Sequence, residues 1–143
     1  IVLRPNRYIW LGTNKLYALK IVKKKAIDDK IFLNHVITER DVLLNSHNPF
    51  IVHLWKSFQD SKRLYFCIDY VPGGDLFSML KKHKKFPIEA ARFYAAEVLM
   101  GLEHLHLELE IIYRDLKPEN ILIDSNGHIK LTDFGLSKSS RRS

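Results

Sequence analysis

The chain has 143 residues, of which 46% are hydrophobic and 27% charged, the ordinary composition of one globular domain. Its net charge of +7 comes largely from three separated basic clusters without interleaved aromatic residues, which favours solvated faces over a nucleic-acid groove, so we expect no nucleic-acid partner. No apolar run approaches the roughly 18 residues of a membrane span. The single cysteine, Cys67, excludes an internal disulfide, so we expect a reducing compartment: the cytoplasm, with the nucleus as an additional location.

The first predicted elements are strands at residues 7–11 and 16–22, separated by the turn at 12–15. That turn contains Gly-Thr-Asn-Lys but lacks the second glycine and the Lys-Ser/Thr ending of a phosphate loop, which favours a plain hairpin turn. In the second strand Lys20 shares a face with Ala18 and Val22. A charge on an apolar strand either reaches the sheet edge or meets a buried anion.

A helix predicted over residues 28–44 offers that anion. Phe32, Val36 and Leu43 lie on one stripe of the helix, and Glu39 falls on the same stripe. We therefore predict a Lys20–Glu39 pair, the alternative being two independent surface ion pairs of little energetic value.

Two further strands, at 51–58 and 63–71, complete a small antiparallel sheet with one helix against it. Pro72-Gly73-Gly74 is the sharpest shift in composition along the chain and divides it into residues 1–71 and 72–143. Beyond it, Asp75 is suited to the N-cap of a short helix at 76–83, and Pro87 to the first turn of a longer helix reaching about residue 109.

A hairpin is predicted near the end of the chain, because Asn126-Gly127 separates the apolar run 121–123 from the alternating run 128–132. Pairing of these runs brings Asn120 and Asp133 together at the open end of the hairpin. An amide oxygen and a carboxylate suit Mg²⁺, with positions left for water and phosphate. The alternative reading is a polar loop with a charged turn.

Several motifs together resemble the signature of eukaryotic protein kinases. They are Tyr-Arg-Asp-Leu-Lys-Pro-Glu-Asn at 113–120, Asp-Phe-Gly at 133–135, Tyr-Ala-Leu-Lys at 17–20, and Glu39. The wider text resembles the AGC serine/threonine kinases, the group of the cyclic-AMP-dependent kinase. The resemblance implies an α+β kinase fold: an N-lobe with a small antiparallel sheet and one helix, followed by the start of a mainly helical C-lobe.

The resemblance also implies roles in binding ATP and Mg²⁺ and in phosphoryl transfer. Asp115 would accept the substrate hydroxyl proton or orient that hydroxyl, and Lys117 would lie near the transferred phosphate. Lys20 would hold the α- and β-phosphates with Glu39 as its anchor. The Mg²⁺ ligands would be Asn120 and Asp133.

For the rest of the nucleotide site the resemblance implies backbone contacts of Asp69 and Val71 with adenine. Ala18 and Leu122 would form apolar walls with Ile68 behind them, and Thr132 and Asp75 would also contact the nucleotide. Asp75 and Glu119 would also lie beside the peptide groove, where acids favour protein substrates with arginine before the serine or threonine. Arg114 and His35 would receive an activation-segment phosphate added by an upstream kinase.

Three departures limit what the resemblance implies. Tyr113 replaces the usual histidine of the catalytic loop, which we interpret as a mark of the AGC group. No glycine-rich loop is recognisable in residues 1–71, and the chain stops at Ser143, within the activation segment. We therefore expect a partial catalytic domain whose long helix leaves apolar surface uncovered.

Three functions from different classes follow. The first is a serine/threonine kinase of which this chain is a part. The second is a catalytically incompetent, truncated kinase that binds nucleotide or a protein partner. The third is a basic nucleic-acid binder, which would show steeply salt-dependent binding.

Overall fold

A computed structural model describes residues 6–9, 15–27 and 30–140. Its first half is a four-stranded antiparallel sheet with one helix, in the strand order β1-β2-β4-β3. The elements are β1 (Asn6–Ile9), β2 (Leu16–Lys23), a 3₁₀ turn (Lys24–Ala26), α1 (Lys30–Asn45), β3 (Leu54–Gln59) and β4 (Arg63–Asp69).

The second half is mainly helical, and its described part also contains two short antiparallel strand pairs. The elements are α2 (Leu76–His83), α3 (Ile88–Glu103), a π-type turn (His104–Glu108), β5 (Ile111–Ile112), a 3₁₀ turn (Pro118–Asn120), β6 (Ile121–Ile123), β7 (Ile129–Leu131) and β8 (Lys138–Ser139). β6 pairs with β7, and β5 pairs with β8. This confirms the predicted α+β fold, while the lobe boundary between residues 71 and 72 stays a prediction.

The alternation of side chains follows the predicted pattern in the second half of β2, whereas Tyr17 in its first half is buried as well. Lys20 and Val22 are buried, whereas Ile21 between them is exposed. Lys20 pairs with Phe66 in the central β2–β4 ladder. The lysine therefore enters the core from the middle of the sheet, where it cannot reach an edge.

Helix α2 begins as its sequence predicts. Both carboxylate oxygens of Asp75 accept hydrogen bonds from Ser78, one from the backbone N–H at 2.7 Å and one from the hydroxyl at 2.9 Å. The cap satisfies a backbone donor that the first turn would otherwise leave free.

The strand predicted at 51–58 starts too early. Residues 50–52 turn away from the sheet and bond to β7: the Leu131 N–H donates to the Phe50 carbonyl at 2.8 Å, and the Val52 N–H donates to the Leu131 carbonyl at 3.0 Å. The run predicted at 51–58 is long enough for one strand, but its first residues bond to the hairpin and so connect the hairpin to the sheet. The strand predicted at 63–71 likewise ends at Asp69.

The helix predicted at 87–109 is α-helical only to Glu103. A wider turn follows, in which the Leu109 N–H bonds to the His104 carbonyl five residues back. This turn places Leu105 fully in the core. His104 is buried and His106 exposed, as expected for histidines on different sides.

One hydrophobic core runs through both halves of the described chain. Its fully buried members include residues of α1, residues 51–52, residues of the hairpin, and Leu105, Tyr113 and Phe134. The outer face of α3 and the turn after it is uncovered, as predicted, with Leu99, Met100 and Leu107 each more than half exposed. Among the described helices, none is both long and apolar enough to cross a membrane. The predicted turn at 12–15 and the start of the predicted helix at 28–29 fall largely outside the described residues.

A buried carboxylate attaches α3 to the hairpin. The side chain of Glu97 is 7% exposed, accepts a hydrogen bond from the Ile129 N–H at 2.9 Å and contacts Nδ1 of His128. The hydrogen bond with Glu97 and the charge of Glu97 raise the pKa of His128, and Asp124 adds to the effect. Phe93 packs beside the imidazole.

This contact predicts a pH-dependent contribution to stability. The pKa of His128 is higher in the folded state than in the unfolded chain, where it is about 6.5. The stabilisation that protonated His128 gives the folded state is therefore complete below about pH 6.5 and is lost as the pH rises through the folded pKa. The free energy of unfolding of wild type minus that of His128→Gln should therefore decrease from about pH 6 to about pH 9. Urea unfolding at several pH values measures it, with His83→Gln as the exposed-histidine control. A difference that does not change with pH would contradict the assignment.

Candidate active site

The predicted pair of Lys20 and Glu39 forms in the core. The ammonium of Lys20 donates to Oε1 of Glu39, and the two residues are only 6% and 5% exposed. Burial raises the pKa of Glu39, Lys20 opposes the shift, and the nearby Asp133 carboxylate adds to it. Each charge therefore depends on the other to remain in the core.

The hairpin brings Asn120 and Asp133 to one end, as its turn predicts. The β6–β7 register is Ile121 with Leu131 through Ile123 with Ile129. One step beyond this ladder, the Thr132 N–H donates to the Asn120 carbonyl at 3.0 Å. The two candidate metal ligands thus lie at the last hydrogen bond of the hairpin: Asn120 accepts it, and Asp133 follows its donor, Thr132.

The loop before the hairpin holds the predicted catalytic residues together. Nζ of Lys117 lies 3.0 and 2.8 Å from the two carboxylate oxygens of Asp115. Nδ2 of Asn120 donates to Oδ2 of Asp115 at 2.8 Å and to its carbonyl at 3.0 Å. The hydrogen bond to Asp115 raises the pKa of Lys117 above its already high ordinary value, so the ammonium is charged at neutral pH.

Two non-glycine residues of the site adopt left-handed backbone conformations, Arg114 with φ 64° and Asp133 with φ 62°. Such conformations persist where surrounding contacts hold them. Here the hydroxyl of Tyr113 donates to the Thr132 carbonyl at 2.6 Å, and its ring packs on Phe134. Nε of Arg114 donates to the Leu136 carbonyl at 2.7 Å. The loop that carries Asp115 and the Asp-Phe-Gly segment are therefore fixed in position by their mutual contacts.

A cavity of about 470 Å³ lies between the sheet and the hairpin. It is lined by all of the residues predicted to hold nucleotide and metal: Ala18, Lys20, Glu39, Ile68, Asp69, Val71, Asp75, Asn120, Leu122, Thr132 and Asp133. Glu119 also lines it. Asp115 instead lines an adjoining cavity of about 190 Å³ that shares Lys20, Glu39 and Asp133, with His35 and Leu136 on its wall. Lys117 reaches the site through Asp115.

Sequence reasoning missed five lining residues: Leu19, Val52, Tyr70, Pro72 and Gly74. Tyr70 lies between two predicted residues, and its position could have been inferred from them. Val52 is fully buried and reaches the cavity because residues 50–52 leave the sheet. No local pattern distinguishes it from an ordinary strand residue.

Two predicted acids have side chains already engaged by other groups. The carboxylate of Asp75 caps α2 through Ser78. The carboxylate of Asp69 accepts from Nε1 of Trp55 at 2.8 Å and lies 3.1 Å from Nζ of Lys130. The predicted adenine contact of Asp69 involves only its backbone, so it does not compete with these bonds.

The donor set at the end of the hairpin fits Mg²⁺. Asn120 uses its Nδ2 on Asp115, which leaves Oδ1 as its acceptor, and Asp133 supplies a carboxylate. Within the described ranges no three His, Cys, Asp or Glu side chains converge on one point. Two oxygen ligands match an ion that keeps waters and binds substrate phosphates.

Comparison with known proteins agrees with the fold. The family model of the protein kinase domain matches residues 7–143. The chain is 55% identical over 127 residues to Protein kinase 3 of Dictyostelium discoideum and 52% identical over 124 residues to cAMP-dependent protein kinase type 3 of Saccharomyces cerevisiae. It is also 55% identical over 125 residues to Serine/threonine-protein kinase Sgk1-A of Xenopus laevis.

The chain therefore belongs to the protein kinase domain family. Its relatives include serine/threonine kinases of the kind that the motifs predicted, so the resemblance to the AGC group is confirmed. The alignments cover 89%, 87% and 87% of this chain but only 14%, 31% and 29% of those three relatives. The chain thus spans less than a third of the length of each.

The buried pair predicts a large cost for removing one partner. Lys20→Met should lower the free energy of unfolding at neutral pH by about 3 kcal/mol or more, because Glu39 is left charged and unpaired in the core. The loss should shrink as the pH falls and Glu39 protonates. Chemical unfolding of Lys20→Met, Glu39→Gln and the double variant measures it. Losses that simply add in the double variant would show that the two side chains are not coupled.

Proposed function

We propose that the protein is a serine/threonine kinase that transfers the γ-phosphate of ATP to protein hydroxyls. The observation that carries this proposal is the convergence of three groups on adjoining cavities: the Lys20–Glu39 pair, the Asn120–Asp133 end of the hairpin, and Asp115 with Lys117. These are the positive charge, the metal ligands and the proton acceptor that phosphoryl transfer requires.

Each side chain has a defined task in this proposal. The substrate hydroxyl oxygen forms a bond to the γ-phosphorus, the bond from that phosphorus to ADP breaks, and Asp115 accepts the hydroxyl proton or orients the hydroxyl. Lys117 neutralises charge near the transferred group. Lys20 holds the α- and β-phosphates, and Glu39 holds Lys20. Bound Mg²⁺, on Asn120 and Asp133, would neutralise phosphate charge.

The nucleotide base would lie between Ala18 and Leu122, which face the same cavity. The backbone of Asp69 and Val71 would bind its edge. Arg114 and His35 are proposed to receive a phosphate that an upstream kinase adds to the activation segment. Arg114 supports this role because it already contacts the Leu136 carbonyl just after the Asp-Phe-Gly motif.

Phosphate transfer and nucleotide binding by the intact protein test the proposal separately. MgATP should raise the melting temperature of wild type, and Asp133→Ala should abolish that shift. Asp115→Ala should lower transfer to an arginine-containing serine peptide by about a hundredfold or more while MgATP still binds. Asp41→Ala, at an exposed aspartate of α1, is the matched control and should change neither.

The outcomes distinguish the alternatives. MgATP binding without transfer by the wild-type protein would identify a binding module and overturn the kinase proposal. No binding of MgATP would overturn the kinase proposal and the nucleotide-binding module, and would leave a module that binds a protein partner.

A basic residue before the serine or threonine is proposed to favour a substrate, since Glu119 lines the cavity beside the predicted peptide groove. Replacing arginine by alanine in the peptide should raise KM about tenfold, and Glu119→Gln should reduce that discrimination. Steady-state kinetics with the two peptides measures it. Equal KM values for both peptides in wild type would contradict the preference.

A further inference from the structure

Lys130 projects from β7 to a point behind the nucleotide cavity, where three chain segments meet. Its Nζ lies 3.1 Å from Oδ2 of Asp69, and it donates to the carbonyls of Pro49 at 3.1 Å and Ile51 at 3.4 Å. Its side chain is 20% exposed and that of Asp69 is 14% exposed. One ammonium group therefore bonds to a carboxylate and two carbonyls in a largely buried position.

The three acceptors belong to segments that lead to different parts of the site. Asp69 ends β4 and begins the connection whose Tyr70 and Val71 line the nucleotide cavity. Pro49 and Ile51 follow α1, the helix that carries Glu39. Lys130 itself lies three residues before Asp133. The contact thus joins the adenine side of the cavity to its metal side.

Asp69 is also held independently of Lys130. Nε1 of Trp55 donates to Oδ1 at 2.8 Å, and the backbone N–H of His53 donates to Oδ2 at 3.2 Å. Burial would raise the pKa of this carboxyl, but the hydrogen bond from Trp55 and the charge of Lys130 outweigh it and lower the pKa. The carboxylate is therefore charged at neutral pH, and the end of β4 would keep its local position without the lysine.

Lys130 lines a cleft of about 690 Å³ on the other side of Asp69 and is not among the residues lining the nucleotide cavity. Any effect of Lys130 on nucleotide binding must therefore act through other residues.

We propose that Lys130 is a positioning residue that fixes the connection after β4 relative to the metal-binding end of the hairpin. The proposal rests on the proposed function, because it concerns a ligand that contacts both places at once. MgATP spans both, since its base would meet the connection and its phosphates the hairpin. Adenosine would occupy only the base side. Loss of Lys130 should therefore weaken the binding of MgATP and leave the binding of adenosine largely unchanged.

The test is isothermal titration of the intact protein with MgATP and with adenosine. Lys130→Gln, which keeps a polar side chain and removes the charge, should raise the Kd of MgATP about fivefold. The Kd of adenosine should change by less than about twofold. Lys130→Arg should restore most of the MgATP affinity, because it keeps the charge. Lys62→Gln removes the same charge from the exposed turn between β3 and β4 and should have no effect.

Asp69→Asn supplies a second measurement, since the amide oxygen can still accept from Trp55. It should lower the affinity for MgATP by a similar factor. The double variant with Lys130→Gln should lose little further affinity, because the two residues act as one unit. An unchanged MgATP affinity, or equal losses for adenosine and MgATP, would overturn the positioning role. If wild type itself fails to bind MgATP, the proposed function fails first, which is a distinguishable result.

Discussion

Three residues of β6 pair with three residues of β7, and the other parts of the described chain attach to this short ladder. On one side, the Gly73 N–H donates to the Ile123 carbonyl and the Ile123 N–H donates to the Gly74 carbonyl, both at 2.8 Å. A Cβ at Gly73 would lie 2.5 Å from the Ile123 carbonyl oxygen, so only glycine fits there. On the other side, β7 bonds to residues 50–52. The hairpin therefore connects the sheet, the connection after it and the candidate metal ligands.

Charge burial is the second constraint on this arrangement. Lys20 with Glu39, Glu97 with the hairpin, and Asp69 with Lys130 each place a charged group in the core or close to it. Desolvation makes an unpaired buried charge costly, so each group requires a partner from another element. The two members of each pair belong to elements that are far apart in the sequence. The same interactions that allow the charges to be buried thus hold the two halves of the site in register.

Backbone conformation is a further constraint on the arrangement of the site. Arg114 and Asp133 adopt left-handed conformations that Tyr113, Phe134 and their hydrogen bonds maintain. A tyrosine at position 113 supplies both a ring for the core and a hydroxyl for the Thr132 carbonyl. Its hydroxyl remains protonated, because burial and the nearby carboxylates of Asp115 and Asp133 raise its pKa far above the ordinary value. Tyr113 can therefore serve as a permanent hydrogen-bond donor between the loop that carries Asp115 and the segment that carries Asp133.

The sequence by itself determined the features that short-range chemistry controls: the Asn126-Gly127 hairpin, the Asp75 cap, the sheet with one helix, and the Lys20–Glu39 pair, since each partner is out of place on an apolar face. The kinase motifs determined the family. Only the tertiary structure decided that residues 50–52 leave the sheet, that the helix after Glu103 widens, and that Asp69 turns its side chain to Lys130. These choices depend on hydrogen bonds and charge pairs between distant segments, and local periodicity carries no information about which distant donor or acceptor will be within reach.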